Sequence, residues 1–188
     1  MHCVKKLCEP FVRFVFLYTA HFIAAILPST RGFEIKNVLF RAAGIKIAAK
    51  AKIVGGCKFH FTNVIIGEES WIGSQCQFFS GLNTPIVIGN RVDIAPGCYF
   101  STGTHKIGDD RRRAGTGQQK SIAIGDGTWI GMNSTFLAGA SVGKGCIVAA
   151  GAVVKGRFPD NVMLGGVPAQ IIKEFDYNRK SSGRPAAL

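Results

Sequence analysis

The sequence predicts an all-β chain, a parallel β-helix of hexapeptide repeats with an N-terminal helix and a short C-terminal extension. Three observations predict it. Between residues 124 and 154 an aliphatic or aromatic residue recurs at every sixth position: Ile124, Ile130, Phe136, Val142, Val148 and Val154. That spacing fits neither a helix, which repeats near 3.6, nor a half-buried strand, which repeats near 2; a fixed longer period marks a repeat architecture. The residue after the apolar one is usually small (Gly125, Gly131, Gly143, Ala149), and the fourth after it is compact (Thr128, Ser134, Ala140, Cys146, Ala152). The same frame extends upstream through Ile88-Gly89, Ile94-Ala95 and Phe100-Ser101. Each hexad reads as a short strand and a tight corner, with the large side chain pointing into a prism.

Taken from the N-terminus, the most apolar stretch is "FVRFVFLYTAHFIAAILP", Phe11 to Pro28, preceded by Lys5 and Lys6 and containing Arg13 and His21. It is short of the ~20 mostly apolar residues of a comfortable bilayer span, and Pro28-Ser29-Thr30 is a poor signal-cleavage pattern. It predicts a helix that either covers the open end of the prism or lies on a membrane surface. The basic segment from Arg31 to Ile53 leads into the first coils; phosphate or lipid headgroups would suit its cations, and a solvated surface is the simpler reading. Ile47-Ala48 and Ile53-Val54 begin an early run, Ile66-Gly67 and Ile72-Gly73 stand in a shifted register, and the frame slips between Phe78 and Val87. Residues 106–121 are polar and lack the pattern, which predicts a loop leaving the prism, the kind of segment that carries function on a rigid scaffold. The expected organisation is an N-terminal helical segment over 1–35, the β-helix over 36–173 with its loop at 106–121, and a tail over 174–188.

The chain has 188 residues, 47% of them hydrophobic, which suits one domain with a substantial core. Its net charge of +12 comes without a nucleic-acid motif or interleaved aromatic and basic residues, so no nucleic-acid partner is expected; anionic cofactors or anionic membrane surfaces account for the sign as well. Cys57, Cys76, Cys98 and Cys146 each fall four residues after an apolar hexad position, in the compact slot, and there is no C-x-x-C. They are expected to pack as small hydrophobes. Free buried thiols suit a reducing, cytoplasmic setting.

Of four histidines only His105, in "YFSTGTH", adjoins the polar excursion. An accessible imidazole beside a cleft can serve as a general base near neutral pH. With "IAIGDGTWIG", "VAAGAVV" and "DNVMLGGVPAQIIK" downstream, residues Lys36 to Lys173 resemble the hexapeptide-repeat acyltransferases, nearest the sugar O-acetyltransferase branch that includes galactoside and maltose acetyltransferases and those of exopolysaccharides. The resemblance implies a left-handed β-helix, a homotrimer with active sites between subunits, and acetyl-CoA as acyl donor with no metal. It implies that His105 takes a proton from an acceptor hydroxyl as the oxygen attacks the thioester, an oriented N–H stabilising the oxyanion. The acceptor would be a saccharide, of a cell-surface polysaccharide or its precursor. The enzyme would then be cytoplasmic, in contact with the inner face of the membrane if the N-terminal helix lies on it.

The resemblance also assigns single positions. Asn83 stands where the galactoside enzymes carry an acceptor-binding carboxylate, and Gln75 where they carry an acceptor-contacting amide. Trp129 resembles the wall of the pantetheine channel. Met132, Ala150, Lys155, Gly156, Gln170 and Lys173 match acetyl-CoA contacts, Ala150 and Gly156 through backbone atoms and the lysines through phosphates; Gln170 replaces a usual basic residue. Asn90 stands where the family often has Asp; Asp93 or a backbone carbonyl would orient His105 instead, and corner hydrogen bonding is the alternative role for both Asn90 and Asp93. Arg111, Arg112 and Arg113 would suit an anionic acceptor or a solvated loop.

Three other readings compete. A carbonic anhydrase on the same prism needs three imidazoles for zinc, and the repeats hold only His60 and His105. A non-catalytic trimeric scaffold would bind no acetyl-CoA. An acetyltransferase acting on serine or an amino sugar shares the same residues, although a serine enzyme usually carries a large helical N-terminal domain.

Overall fold

The computed structural model of the protein describes residues 2–176, with side chains from residue 14 onward. The expected tail over 174–188 therefore lies mostly outside the described residues. Two helices, α1 (His2–Ile26) and α2 (Phe33–Ala42), precede short strands that wind into three parallel sheets. The first face stacks Lys46–Ile47, Val64–Ile66, Ile86–Ile88, Ile122–Ile124, Ser141–Val142 and Arg157–Phe158. The second stacks Lys52–Ile53, Trp71–Ile72, Asp93–Ile94, Trp129–Ile130, Ile147–Val148 and Val162–Gly166, and Ala169–Glu174 closes it antiparallel. The third stacks Lys58–Phe59, Gln77–Phe79, Tyr99–Ser101, Thr135–Phe136 and Val153–Val154.

The hexad positions point inward, as their period requires. Ile88, Ile94, Phe100, Ile130, Phe136 and Val154 are all buried, at 1% exposure or less. On the third face the inner side chains form a column: Phe59, Phe78, Phe100 and Phe136 stack at ring-centroid distances of 5.0, 4.9 and 4.6 Å with planes within 14°. Strands about 4.8 Å apart in a parallel ladder set that separation. The small residue after each hexad position has a steric cause. A Cβ on Gly131 would lie 2.5 Å from Ala150 N in the neighbouring coil.

The compact slots do more than fill space. Between the second and third faces, Cys57, Cys76, Cys98 and Ser134 each donate to a carbonyl of the next coil: Gly73, Ala95, Gly131 and Ala149, at 3.0, 3.4, 3.3 and 3.1 Å. All four repeat cysteines are free and buried. The hydrogen bond with Cys57, aided by burial, pushes the Cys76 thiol up to about 12, and contact with Cys76 and burial raise that of Cys98. These thiols are structural and unreactive. Between the first and second faces the corners use carboxylate and amide oxygens instead. Asp126 Oδ1 accepts from Asn90 N at 2.9 Å, and Asn90 Oδ1 accepts from Glu68 N at 2.8 Å. Asn90 thus has the corner role. The Asn90 N–H, chiefly, holds the Asp126 carboxyl below its ordinary range.

α1 covers the open end of the prism with Leu17, Ala20 and Ala24. His21 Nε2 accepts from the Phe59 backbone N–H at 2.9 Å, and its ring packs against Phe40 at 5.3 Å. The expected start of the β-helix at residue 36 is too early, because α2 occupies Phe33–Ala42 and the first strand begins at Lys46. The helical period is concealed in the sequence because two of its buried positions are Lys36 and Asn37, beside Phe40. Lys36 is not a solvated surface cation. Its Nζ donates to Pro28 O and Ser29 O, both at 2.8 Å, and locks the α1–α2 connection; burial lowers its pKa. Among the described residues no helix is long and apolar enough to cross a membrane.

Candidate functional site

After Tyr99–Ser101 the chain leaves the prism, as residues 106–121 predicted, but in ordered form and starting earlier. Gly103–Ile107 pairs antiparallel with Ala114–Gln119. The excursion is a two-stranded ribbon, and His105 lies within its first strand, opposite Gly117. Both faces of the ribbon are largely exposed, so no apolar alternation was available to reveal it. His105 is exposed. A Cβ on Gly117 would meet nothing within 4 Å, so the space opposite the imidazole is open. A depression of about 740 Å³ runs beside it, lined by Ser101, Thr104, His105, Gly117, Gln118 and Gln119. At the ribbon's tip Asp109 Oδ1 accepts from the backbone N–H groups of Arg111 and Arg112, at 3.1 and 3.0 Å. Arg111, Arg112 and Arg113 are all exposed there.

The slip between Phe78 and Val87 is a surface loop at 80–85, and ladder pairing resumes with Ile66 beside Ile88. The loop carries Asn83, which is exposed. Asn63 Nδ2 donates to Gly81 O and Leu82 O, both at 3.1 Å, and Thr84 Oγ1 donates to Gln119 Oε1 at 3.1 Å. The Asn83 loop is therefore fastened to the base of the His105 ribbon. Lys155 and Gly156 lie on the same prism edge, between Val153–Val154 on the third face and Arg157–Phe158 on the first. They line a cleft of about 600 Å³ with Lys120, Ser121, Gly139 and Arg157. Its three cations fit a phosphorylated ligand. Lys120 and Arg157 were not foreseen. Lys120 ends an unpatterned stretch, and Arg157 stands where the hexad frame has already run out.

The remaining predicted residues stand elsewhere on the chain. Gln75, Met132 and Ala150 occupy corners between the second and third faces, the corner at 95–98 separating the first two, and Gln75 has φ of 59°. Trp129, 44% exposed, is on the outside of the second face in register with Asp93 and Ile147. Gln170 and Lys173 are exposed on the closing strand of that face. Asp93, on the second face, is separated from the ribbon by the third face, so it does not orient His105 within one chain. His105, Asn83, Lys155 and Gly156 thus fall on one prism edge, Gln75, Met132 and Ala150 on another, and Trp129, Gln170 and Lys173 on the second face beside it. Among the described residues no three metal-ligating side chains converge.

The bacterial transferase hexapeptide family (six repeats) matches residues 121–156. Over those residues the chain carries the hexapeptide repeat of that family. It is 30% identical over 129 residues to galactoside O-acetyltransferase of Escherichia coli, covering 59% of this chain and 64% of that enzyme. It is 30% identical over 109 residues to galactoside O-acetyltransferase of Lactococcus lactis, covering 56% and 53%. The chain thus spans little more than half the length of such relatives. Among solved structures, a hexapeptide-repeat acetyltransferase from Vibrio cholerae, complexed with acetyl coenzyme A, superimposes with a TM-score of 0.72 at 26% identity over 85% of this chain and 87% of its own. The hexapeptide-repeat chain shares its left-handed β-helix.

Proposed function

We propose that the protein is an acetyltransferase that moves an acetyl group from acetyl-CoA to a hydroxyl of a saccharide, with His105 as general base. One observation carries the reading: an exposed imidazole on a rigid ribbon faces open space, while a three-cation cleft adjoins the base of that ribbon. The acetyl-CoA complex of the Vibrio cholerae relative supports the donor, and the galactoside O-acetyltransferases support the acceptor class. His105 takes the acceptor proton as its oxygen attacks the thioester carbonyl carbon. The carbon–sulfur bond then breaks, the proton passes to the departing sulfur, and the products are an acetyl ester and CoA thiol. Lys155 and Arg157 would hold the nucleotide phosphates, and Asn83 would hydrogen-bond the acceptor.

The division of the site over two edges supports a homotrimer. The third face stands between His105 with Lys155 and the group of Trp129, Met132 and Ala150, so one chain cannot close them around a single ligand. A neighbouring copy presenting its other edge completes the cleft. A cell-surface polysaccharide or its precursor is the acceptor we favour, and the cytoplasm, where acetyl-CoA is made, the setting.

The test is thiol release from acetyl-CoA across a panel of sugars, sugar nucleotides and amino sugars. We expect release with a hydroxyl acceptor, and a loss of roughly 10²–10⁴-fold in His105→Ala with assembly and melting unchanged. Undiminished turnover by His105→Ala would remove the base. A preference for amino acceptors would replace ester formation with amide formation, and no CoA binding at all would leave a scaffold.

A further inference from the structure

We infer that the helical end of the prism is a docking surface for an anionic membrane. From residue 14 onward α1 presents apolar side chains on two opposite sides. Leu17, Ala20 and Ala24 face the prism, and the opposite side presents Val15, Tyr18, Phe22 and Ile26 at 47%, 61%, 69% and 71% exposure. α2 adds Ile35 and Val38, 54% and 60% exposed. Scattered exposed apolar residues need no explanation, but a stripe along one helix with further exposed aliphatic residues on the helix packed beside it does.

The charge at this end says what covers the stripe. The first coil carries an outward lysine on each face, Lys46, Lys52 and Lys58, all exposed beside inward Ile47, Ile53 and Phe59. The next coil has Ile65, Trp71 and Gln77 at the matching ladder positions. The lysines therefore form a collar around the prism directly behind the helical cap. Over residues 1–60, Lys and Arg number ten and Asp and Glu two, so eight of the twelve net positive charges reside in the first third of the sequence. An apolar helix face with aromatic residues and a cationic rim fits the boundary between acyl chains and anionic headgroups. A second copy docked end to end would bring two lysine collars together, like charge against like, so the lipid surface is the occupant. Trimeric assembly and acetyl transfer are not required for this.

Co-sedimentation of the full-length protein with vesicles tests it. One set is phosphatidylcholine alone, and the other contains about a third phosphatidylglycerol. Binding to the anionic vesicles is expected, weakening as salt rises. Phe22→Asp with Ile26→Asp should lower it roughly tenfold or more. Lys46→Gln, Lys52→Gln and Lys58→Gln should each weaken anionic binding up to about fivefold and leave neutral vesicles unaffected. Melting curves verify that each variant folds. His105→Ala should bind vesicles as the parent does, so failure of the catalytic reading leaves this result standing. No binding to either vesicle, or unchanged binding by the stripe variant, overturns the inference. So does a stripe variant that splits an assembly in sedimentation while vesicle binding persists, which assigns the face to a second copy.

Discussion

Thr84 donates its hydroxyl to Gln119 Oε1 at 3.1 Å and joins two segments thirty-five residues apart. Thr84 follows Asn83 in the surface loop, and Gln119 ends the ribbon that begins near His105. Asn83 and His105, which we propose bind and activate the acceptor, thus share one support. Thr84→Val keeps the side chain's shape and removes the donor. Its expected effect is an increase of roughly three- to tenfold in KM for the acceptor with a smaller change in kcat, since alignment matters more than stability here. Thr84→Ser should restore the parent value. An unchanged KM in the valine variant would detach the loop from acceptor binding.

The phenylalanine column is the clearest stability element. Phe100 is fully buried between Phe78 at 4.9 Å and Phe136 at 4.6 Å. Phe100→Ala should cost about 3–5 kcal/mol in denaturant unfolding, and Phe100→Leu much less because it leaves a smaller void. A cost under about 1 kcal/mol for the alanine variant would mean that the column collapses around the gap.

The inside of the prism was readable from Ile88, Ile94 and Phe100 because a hexad position is inward on every coil, and inwardness selects apolar side chains. The corner cysteines were legible for the same reason, although their donation to neighbouring carbonyls was not, since sequence spacing does not show which coil lies alongside. α2 was missed because two of its inward positions are Lys36 and Asn37, whose polar ends find backbone carbonyls at Pro28, Ser29 and Ala51. The ribbon was missed as a ribbon because neither of its faces meets a core. His105 could be located from its neighbours in sequence. The separation of Gln75 and Met132 from His105 could not, because it depends on which prism edge each corner occupies.

His21 makes the cap sensitive to acid. Its Nε2 accepts from Phe59 N, and burial lowers its pKa in the folded chain from the ordinary 6.5. The unfolded chain therefore binds the proton first, and protonation favours unfolding. The stabilisation is full above the unfolded pKa and declines as pH falls through about 6.5 toward the lowered folded value. Melting temperature should drop across that window in the parent protein. His21→Leu should start lower, because the Phe59 N–H loses its acceptor at a cost of about 1–3 kcal/mol, and should lack that part of the pH dependence. Parallel pH profiles for the two proteins would exonerate His21.

The cation cleft makes a separable prediction about the donor. Lys155 and Arg157 are exposed on the edge shared by the third and first faces, beside Lys120. If they hold phosphates, Lys155→Ala with Arg157→Ala should weaken CoA binding in calorimetry by roughly tenfold at low salt. The difference from the parent should shrink as ionic strength rises and the field is screened over ~10 Å. Neither side chain is buried in the core, so melting should stay within a degree or two of the parent, as expected for surface substitutions. Truncated pantetheine donors lacking the nucleotide should bind parent and variant alike. Equal affinities of the two proteins for intact CoA would move the phosphate site away from this edge, toward Lys173 on the closing strand.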